Sequence, residues 1–116
     1  MSERDWQLFL KDIHESAARI VAYVGTMSSE EFFQDPKSVD AVMRNLAIIG
    51  EAAKKIPADA RRRYPSVEWK KMAGLRDIVV HDYFGIDEDI IWDVVTRRIP
   101  DLKRHINIMI SEVFKN

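Results

Sequence analysis

The sequence has no cysteine among its 116 residues. That excludes a disulfide framework, a thiolate zinc site and a cysteine nucleophile, and it fits a reducing cytoplasm. No apolar run approaches the ~20 residues that a bilayer span requires. The start, Met1-Ser2-Glu3-Arg4-Asp5, lacks the basic and then apolar stretches of a secretory signal. The expected compartment is therefore the cytoplasm, with no membrane association. Strand-like alternation, internal repeats and low-complexity segments are missing too, and no two of the three histidines share metal-ligand spacing. There is little net charge: 18 Lys and Arg against 19 Asp and Glu leave −1, which argues against a general nucleic-acid coat protein.

What is present is a helical pattern. The length suits one domain over residues 1–116, large enough to bury a core without staples. Ser2 and Asp5 take the two positions of a capping box. Trp6, Phe9, Leu10, Ile13, Ala17, Ile20, Val21 and Val24 then recur at helical spacing, and Gly25 supplies the stop. Residues 28–33 read as a short helical turn. Asp35-Pro36 starts a second long helix, whose stripe of Val39, Val42, Met43, Leu46, Ile49, Ala53 and Ile56 ends at Pro57. A short helix follows, closed by Pro65. Ser66 is placed to cap the next, with Trp69, Met72, Ala73, Leu75, Val79 and Val80 as its apolar set, failing near Tyr83-Phe84-Gly85. Asp87 caps a last long helix, which Pro100 should kink or split. The expected fold is all-α, an antiparallel bundle of four main helices with short extra helical turns. Ile106, Ile108, Met109 and Ile110 make the last helix apolar over a wider arc than one stripe needs. That leaves two readings, a sticky chain end or a homodimer face.

Charge is unevenly distributed. Residues 54–76 carry eight Lys and Arg against Asp59 and Glu68, a local +6, whereas residues 77–93 carry six acids and no Lys or Arg, a local −6. The sign flips between Arg76 and Asp77. Arg61, Arg62, Arg63, Lys70 and Lys71, with Lys54 and Lys55, are candidates to track an RNA backbone; a solvated face is the alternative. Tyr64, Trp69 and Trp92 can stack bases, but helical spacing favours core packing for both tryptophans. His14 and His105 read as surface histidines. Arg44, Asn45 and Glu51 are polar groups on a packing helix and candidates to line a cleft.

The flip falls inside Arg76-Asp77-Ile78-Val79-Val80-His81-Asp82-Tyr83. Arginine offers a permanently charged planar fork that suits phosphate. Histidine titrates near neutrality and can take and return a proton. RNA carries its own nucleophile, the 2'-hydroxyl, so one arginine and one histidine can cover much of the work of cleaving it. Asp77, one helical turn before His81, can orient the imidazole. On a regular helix, however, five residues turn the chain by about 500°, so Arg76 and His81 point roughly 140° apart. A helix break near His81, a cleft shared with a second subunit, or both would resolve the misfit.

Gly74-Leu75-Arg76-Asp77-Ile78-Val79-Val80-His81-Asp82-Tyr83 resembles the signature of the HepT-like branch of the HEPN superfamily: arginine, a polar residue, three more residues, then His-x-Tyr. Ile49-Gly50-Glu51-Ala52-Ala53-Lys54, Trp69-Lys70-Lys71-Met72-Ala73-Gly74, and Ile86-Asp87 leading into Ile91-Trp92 resemble the same family in order and spacing. The resemblance covers essentially the whole chain. It implies an all-helical, commonly homodimeric domain with the motif at the dimer cleft. The implied activity is that of an RNA-cutting toxin that needs no metal or other cofactor, from a two-gene, type VII toxin–antitoxin system. The partner it implies is a small MNT-type nucleotidyltransferase, and no DNA is expected as substrate. Carried over, Arg76 and His81 are the catalytic pair, Asp77 the polar position, and Tyr83 the residue that receives AMP. The alternative within the same resemblance is a non-catalytic module that binds a nucleotide or a nucleotidyltransferase.

Overall fold

The structure, a computed structural model, describes residues 3–82 and 87–114, with side chains described from Trp6 onward except at residues 80–82. The Ser2 cap and the helix stop expected near Tyr83-Phe84-Gly85 lie outside the described residues.

Helix α1 (Glu3–Val24) buries Trp6, Leu10, Ile13, Ala17, Ile20 and Val24. The steps alternate between four and three, the interval that returns a helix to one face. Lys11, Glu15 and Arg19 are exposed on the other side, Arg19 paired with Glu15 one turn away. Gly25 closes the helix at φ +53°, a conformation that a side chain would penalise, and its N–H bonds the Val21 carbonyl at 3.0 Å. The short α2 (Ser29–Phe33) has a complete capping box: Ser28 Oγ accepts from the Glu31 N–H at 3.1 Å, and the Glu31 carboxylate accepts from the Ser28 N–H at 2.9 Å. Helix α3 (Pro36–Lys54) begins with proline, as expected, and packs along α1 through a core that includes Val42, Met43, Leu46, Ile49 and Ala53.

After α4 (Ala58–Arg63) the structure departs from the expected single helix running from a Ser66 cap toward Tyr83-Phe84-Gly85. Two helices stand there, α5 (Trp69–Ala73) and α6 (Leu75–Asp82), separated at Gly74, and Glu68 rather than Ser66 precedes the first helical residue. The buried positions explain the break. Trp69, Met72 and Leu75 are all in the core at steps of three, and in one regular helix each such step drifts about 60° off the face. Interrupting the helix at Gly74 restores the phase, so α5 and α6 both pack on α3. The Trp69 indole N–H donates to the Tyr64 carbonyl at 3.0 Å, holding the start of α5 to the end of α4.

Asp87 caps α7 (Glu88–Asp93), its carboxylate accepting from the Asp89 N–H at 2.9 Å. A π-helical stretch, Val94–Arg98, follows, and then α8 (Ile99–Val113). Pro100 is the second residue of α8. It has no N–H to donate and its ring crowds the carbonyl four residues back, so the widened turn just before it is the form the expected disruption takes. The π-helical stretch and α8 pack on α1. Of the four apolar residues singled out in the last helix, Ile106 and Met109 are fully buried, Ile110 is partly buried, and Ile108 is 49% exposed. The monomer thus takes up most of the arc that a partner was invoked to cover. Trp92 of α7 lies 5.7 Å from Phe32 and 6.4 Å from Phe33, so it packs, as Trp69 does. The result is an all-α bundle with no strand among the described residues.

Candidate active site

Arg76 stands in the first turn of α6, exposed, where α6 meets α3. The meeting is close because position 50 is glycine. A Cβ there would fall 3.0 Å from the Arg76 backbone nitrogen and 3.3 Å from the Met72 carbonyl oxygen, both too near for a fixed backbone. The next residue, Glu51, reaches the same arginine: Arg76 Nη1 donates to Glu51 Oε1 at 2.9 Å. Lys54, one turn on, approaches that oxygen at 3.7 Å. Consecutive residues of α3 therefore meet both the backbone and the guanidinium of Arg76.

His81 is carried by the last turn of α6, and the backbone is helical from Leu75 to Asp82. Arg76 and His81 thus share one uninterrupted helical stretch. The five-residue phase difference of roughly 140° applies to their positions. Asp77, exposed in the first turn, is one helical turn from His81. Acidic charge at this end of a helix is favourable to its dipole. The His81 side chain and the whole of Tyr83 lie outside the described residues.

The proposed backbone-tracking cations divide into two groups. On α4, Arg63 is exposed, Arg62 pairs with Asp59, and Arg61 is partly buried with Nε lacking a hydrogen-bond partner. On α5, Lys70 is exposed, while Lys71 pairs with Glu68 at 2.9 Å, which also takes Arg98 at 3.0 Å. The Lys71 ammonium, with Arg98 beside it, holds the Glu68 carboxyl below its usual range. Part of the +6 segment is therefore compensated locally.

Two depressions flank this region. One, about 310 Å³, lies between α5–α6 and α7–α8, floored by Met72, Leu75, Ile78, Val94 and Leu102. Its rim carries Lys71, Arg98, Asp101 and His105. His105 Nδ1 sits 2.9 Å from the Asp101 carbonyl oxygen. The other, about 370 Å³, runs between α1 and α3 and includes Phe9, Asp12, Arg44, Ile48, Glu51 and Lys55. Arg44 and Glu51 border this depression. Asn45 does not: it is only 5% exposed, its Nδ2 donates to the Ala41 carbonyl at 2.7 Å, and its Oδ1 is buried without a partner. Among the described residues no group of three or more His, Asp or Glu side chains is placed to hold a metal ion.

Two features of this region are not legible in residue spacing. The Glu51–Arg76 pair joins residues 25 apart, and only the adjacency of Gly50 and Glu51 hinted at it. The apolar depression beside α6 depends on the break at Gly74, which periodicity alone did not locate.

The family model described as "Ribonuclease HepT-like" matches residues 13–109. The chain is similar, at 42% identity over 113 residues, to a protein of Methanocaldococcus jannaschii provisionally named an RNase, covering 97% of this chain and 93% of that relative. It is similar, at 41% identity over 101 residues, to the "Probable ribonuclease HepT" of Thermococcus cleftensis, covering 87% of this chain and 92% of that relative. A shorter match of 43 residues, at 42% identity, is to the "mRNA nuclease HepT" of Shewanella oneidensis, covering 37% of this chain and 32% of that relative. No solved structure matches the chain.

Proposed function

The chain belongs to the HepT-like ribonuclease family, and from that premise we propose that it is a metal-independent endoribonuclease toxin of a type VII toxin–antitoxin system. The observation that carries the proposal is Arg76, exposed and tied down at the start of the helix that also bears His81. In the proposed reaction the Arg76 fork grips the phosphate. His81 takes the proton of the 2'-hydroxyl, whose oxygen attacks phosphorus. The bond to the 5'-oxygen breaks, and that oxygen leaves with the electron pair and takes a proton from water. The products are a 2',3'-cyclic phosphate and a 5'-hydroxyl. Asp77 orients the imidazole from one turn away, and Arg61, Arg62, Arg63, Lys70 and Lys71 track the flanking backbone.

The wide angle between Arg76 and His81 on one helix supports a cleft shared by two copies, in which each copy completes the other's site. Tyr83 is the proposed control point. An MNT-type nucleotidyltransferase would deliver AMP from ATP: the phenolic oxygen attacks the α-phosphorus and pyrophosphate leaves. The adduct adds bulk and negative charge two residues from His81 and competes with RNA phosphate for Arg76.

Expression in a bacterial host tests the toxin reading. Growth arrest by the wild-type chain, abolished by His81→Ala, is expected; arrest that survives His81→Ala rejects it, and no arrest points to a binding module. Intact mass after incubation with the partner enzyme and ATP tests the control point. The reading requires a mass gain of nucleotide on wild type that disappears in Tyr83→Phe.

A further inference from the structure

An arginine that clamps phosphate must present its fork in a fixed direction, and an exposed arginine on a short helix has a long, mobile side chain working against that. Two independent features of α3 oppose this mobility. Gly50 lets the α3 backbone approach until an added Cβ would sit 3.0 Å from the Arg76 nitrogen, which fixes where the side chain starts. Glu51 accepts from Arg76 Nη1 at 2.9 Å, which fixes where it ends. The guanidinium has five N–H donors. Glu51 engages it through Nη1, so Nη2 and Nε keep donors for two phosphate oxygens.

A carboxylate beside an incoming phosphate would ordinarily repel it. Here Lys54 shares the same Glu51 oxygen at 3.7 Å. Two cations and one carboxylate leave the trio with a net positive charge, so the site still attracts a phosphate.

We propose that Glu51 is a positioning residue for RNA cleavage: with Gly50 behind it and Lys54 beside it, it holds the Arg76 guanidinium in the orientation that meets the scissile phosphate. The inference rests on the ribonuclease reading and assigns Glu51 no contact with RNA. It distinguishes Glu51 from a competitor that occupies Arg76 until RNA displaces it. A positioning residue makes catalysis faster, whereas a competitor makes binding weaker.

The test measures kcat and KM for cleavage of a single-stranded RNA oligonucleotide by wild type, Glu51→Ala, Glu51→Asp and Glu51→Gln. It also measures the ¹⁵N order parameter of the Arg76 Nε–H. Glu51→Ala should lower kcat by about 10-fold or more, since small misplacements of a reacting group are costly, with KM changed less than about 3-fold. The Arg76 order parameter should fall with it. Glu51→Gln keeps the acceptor oxygen at the same reach and should stay within about 3-fold of wild-type kcat. Glu51→Asp is one methylene short and should lose kcat where Gln keeps it. Should Glu51→Ala fail to fold, the Gln and Asp pair decides the matter, and equal kcat in the two overturns the proposal. An unchanged Arg76 order parameter overturns it, as does faster cleavage or tighter RNA binding in Glu51→Ala. An Arg76 that loosens in Glu51→Ala while wild type cuts no RNA overturns the ribonuclease reading instead, and with it the role given to Glu51.

Discussion

Helices α1 and α3 are long and unbroken, and buried side chains recur along each at helical intervals. The other side of the bundle uses the same kinds of side chain differently. Helices α5 and α7 are six residues or shorter, the phase resets at Gly74, and a π-helical stretch interrupts the last arm. Between these pieces lies the apolar depression of about 310 Å³, and Ile90 on its edge is 51% exposed. The difference separates scaffold from site. The continuous stripe seals the core, and the depression between α1 and α3 is bordered by Asp12, Arg44, Glu51 and Lys55. A broken stripe spends packing on openings and on side chains set at odd angles. Arg76 is on the broken side, yet its orientation comes from Gly50 and Glu51 on the continuous one.

Truncation is the strongest way to break this comparison. Leu10→Ala and Ile49→Ala, at positions with no exposure in the α1–α3 layer, should each cost about 2–5 kcal/mol in denaturant unfolding. Ile90→Ala should stay within about 0.5 kcal/mol. Comparable losses at all three would erase the distinction. Next in size is Gly50→Ala. Its methyl would meet backbone rather than a movable side chain, so overpacking of about 1–3 kcal/mol should outweigh the gain of up to about 1 kcal/mol in helix propensity. A stabilised Gly50→Ala would show that the two sides are not in close contact. Smaller again, Ser28→Ala removes the hydroxyl that accepts from the Glu31 N–H in the α2 capping box and should cost about 1 kcal/mol, read as a lowered midpoint of thermal unfolding.

The gentlest probe is pH. Ser28 N–H, and then its hydroxyl, holds the Glu31 carboxyl below its ordinary 4.5. A carboxyl depressed in the folded state adds stability above its unfolded value and loses it as pH falls through the folded one. The drop in unfolding midpoint between pH 5 and 3 should therefore be shallower in Glu31→Gln. Tyr64 has the opposite sign: its hydrogen bond to Glu112, 2.5 Å long, raises the phenol above 10. That contribution is present below the unfolded value and fades as pH rises through the folded one, so Tyr64→Phe should flatten the alkaline limb.

How much was legible in the sequence follows the same division. The α1 stripe, the Gly25 stop, the Asp35-Pro36 start and the Asp87 cap were readable because each rests on local periodicity or local backbone chemistry. Pro100 announced a disruption but not its π-helical form. The break at Gly74 is not legible because steps of three look helical until they are summed, and Asn45, a cleft candidate by its polarity, turns inward to the Ala41 carbonyl. At the candidate site, residue types make Arg76, Asp77 and His81 candidates, while the roles given to them and to Tyr83 come from the family resemblance. The Glu51 contact is not legible, because partners 25 residues apart are set by helix packing.

The central claim is that the α6 motif cuts RNA. The most direct measurement is cleavage of a single-stranded RNA in EDTA by wild type, Arg76→Ala and His81→Ala, with thermal unfolding recorded for each. Wild type should cleave without added metal. Each variant should be slower by about 10²–10⁴-fold, the range for loss of a general acid–base or charge-stabilising group, and Arg76→Ala, at an exposed position, should keep an unfolding midpoint close to wild type. Equal cleavage by all three proteins, or cleavage by wild type only when metal is restored, would contradict the account.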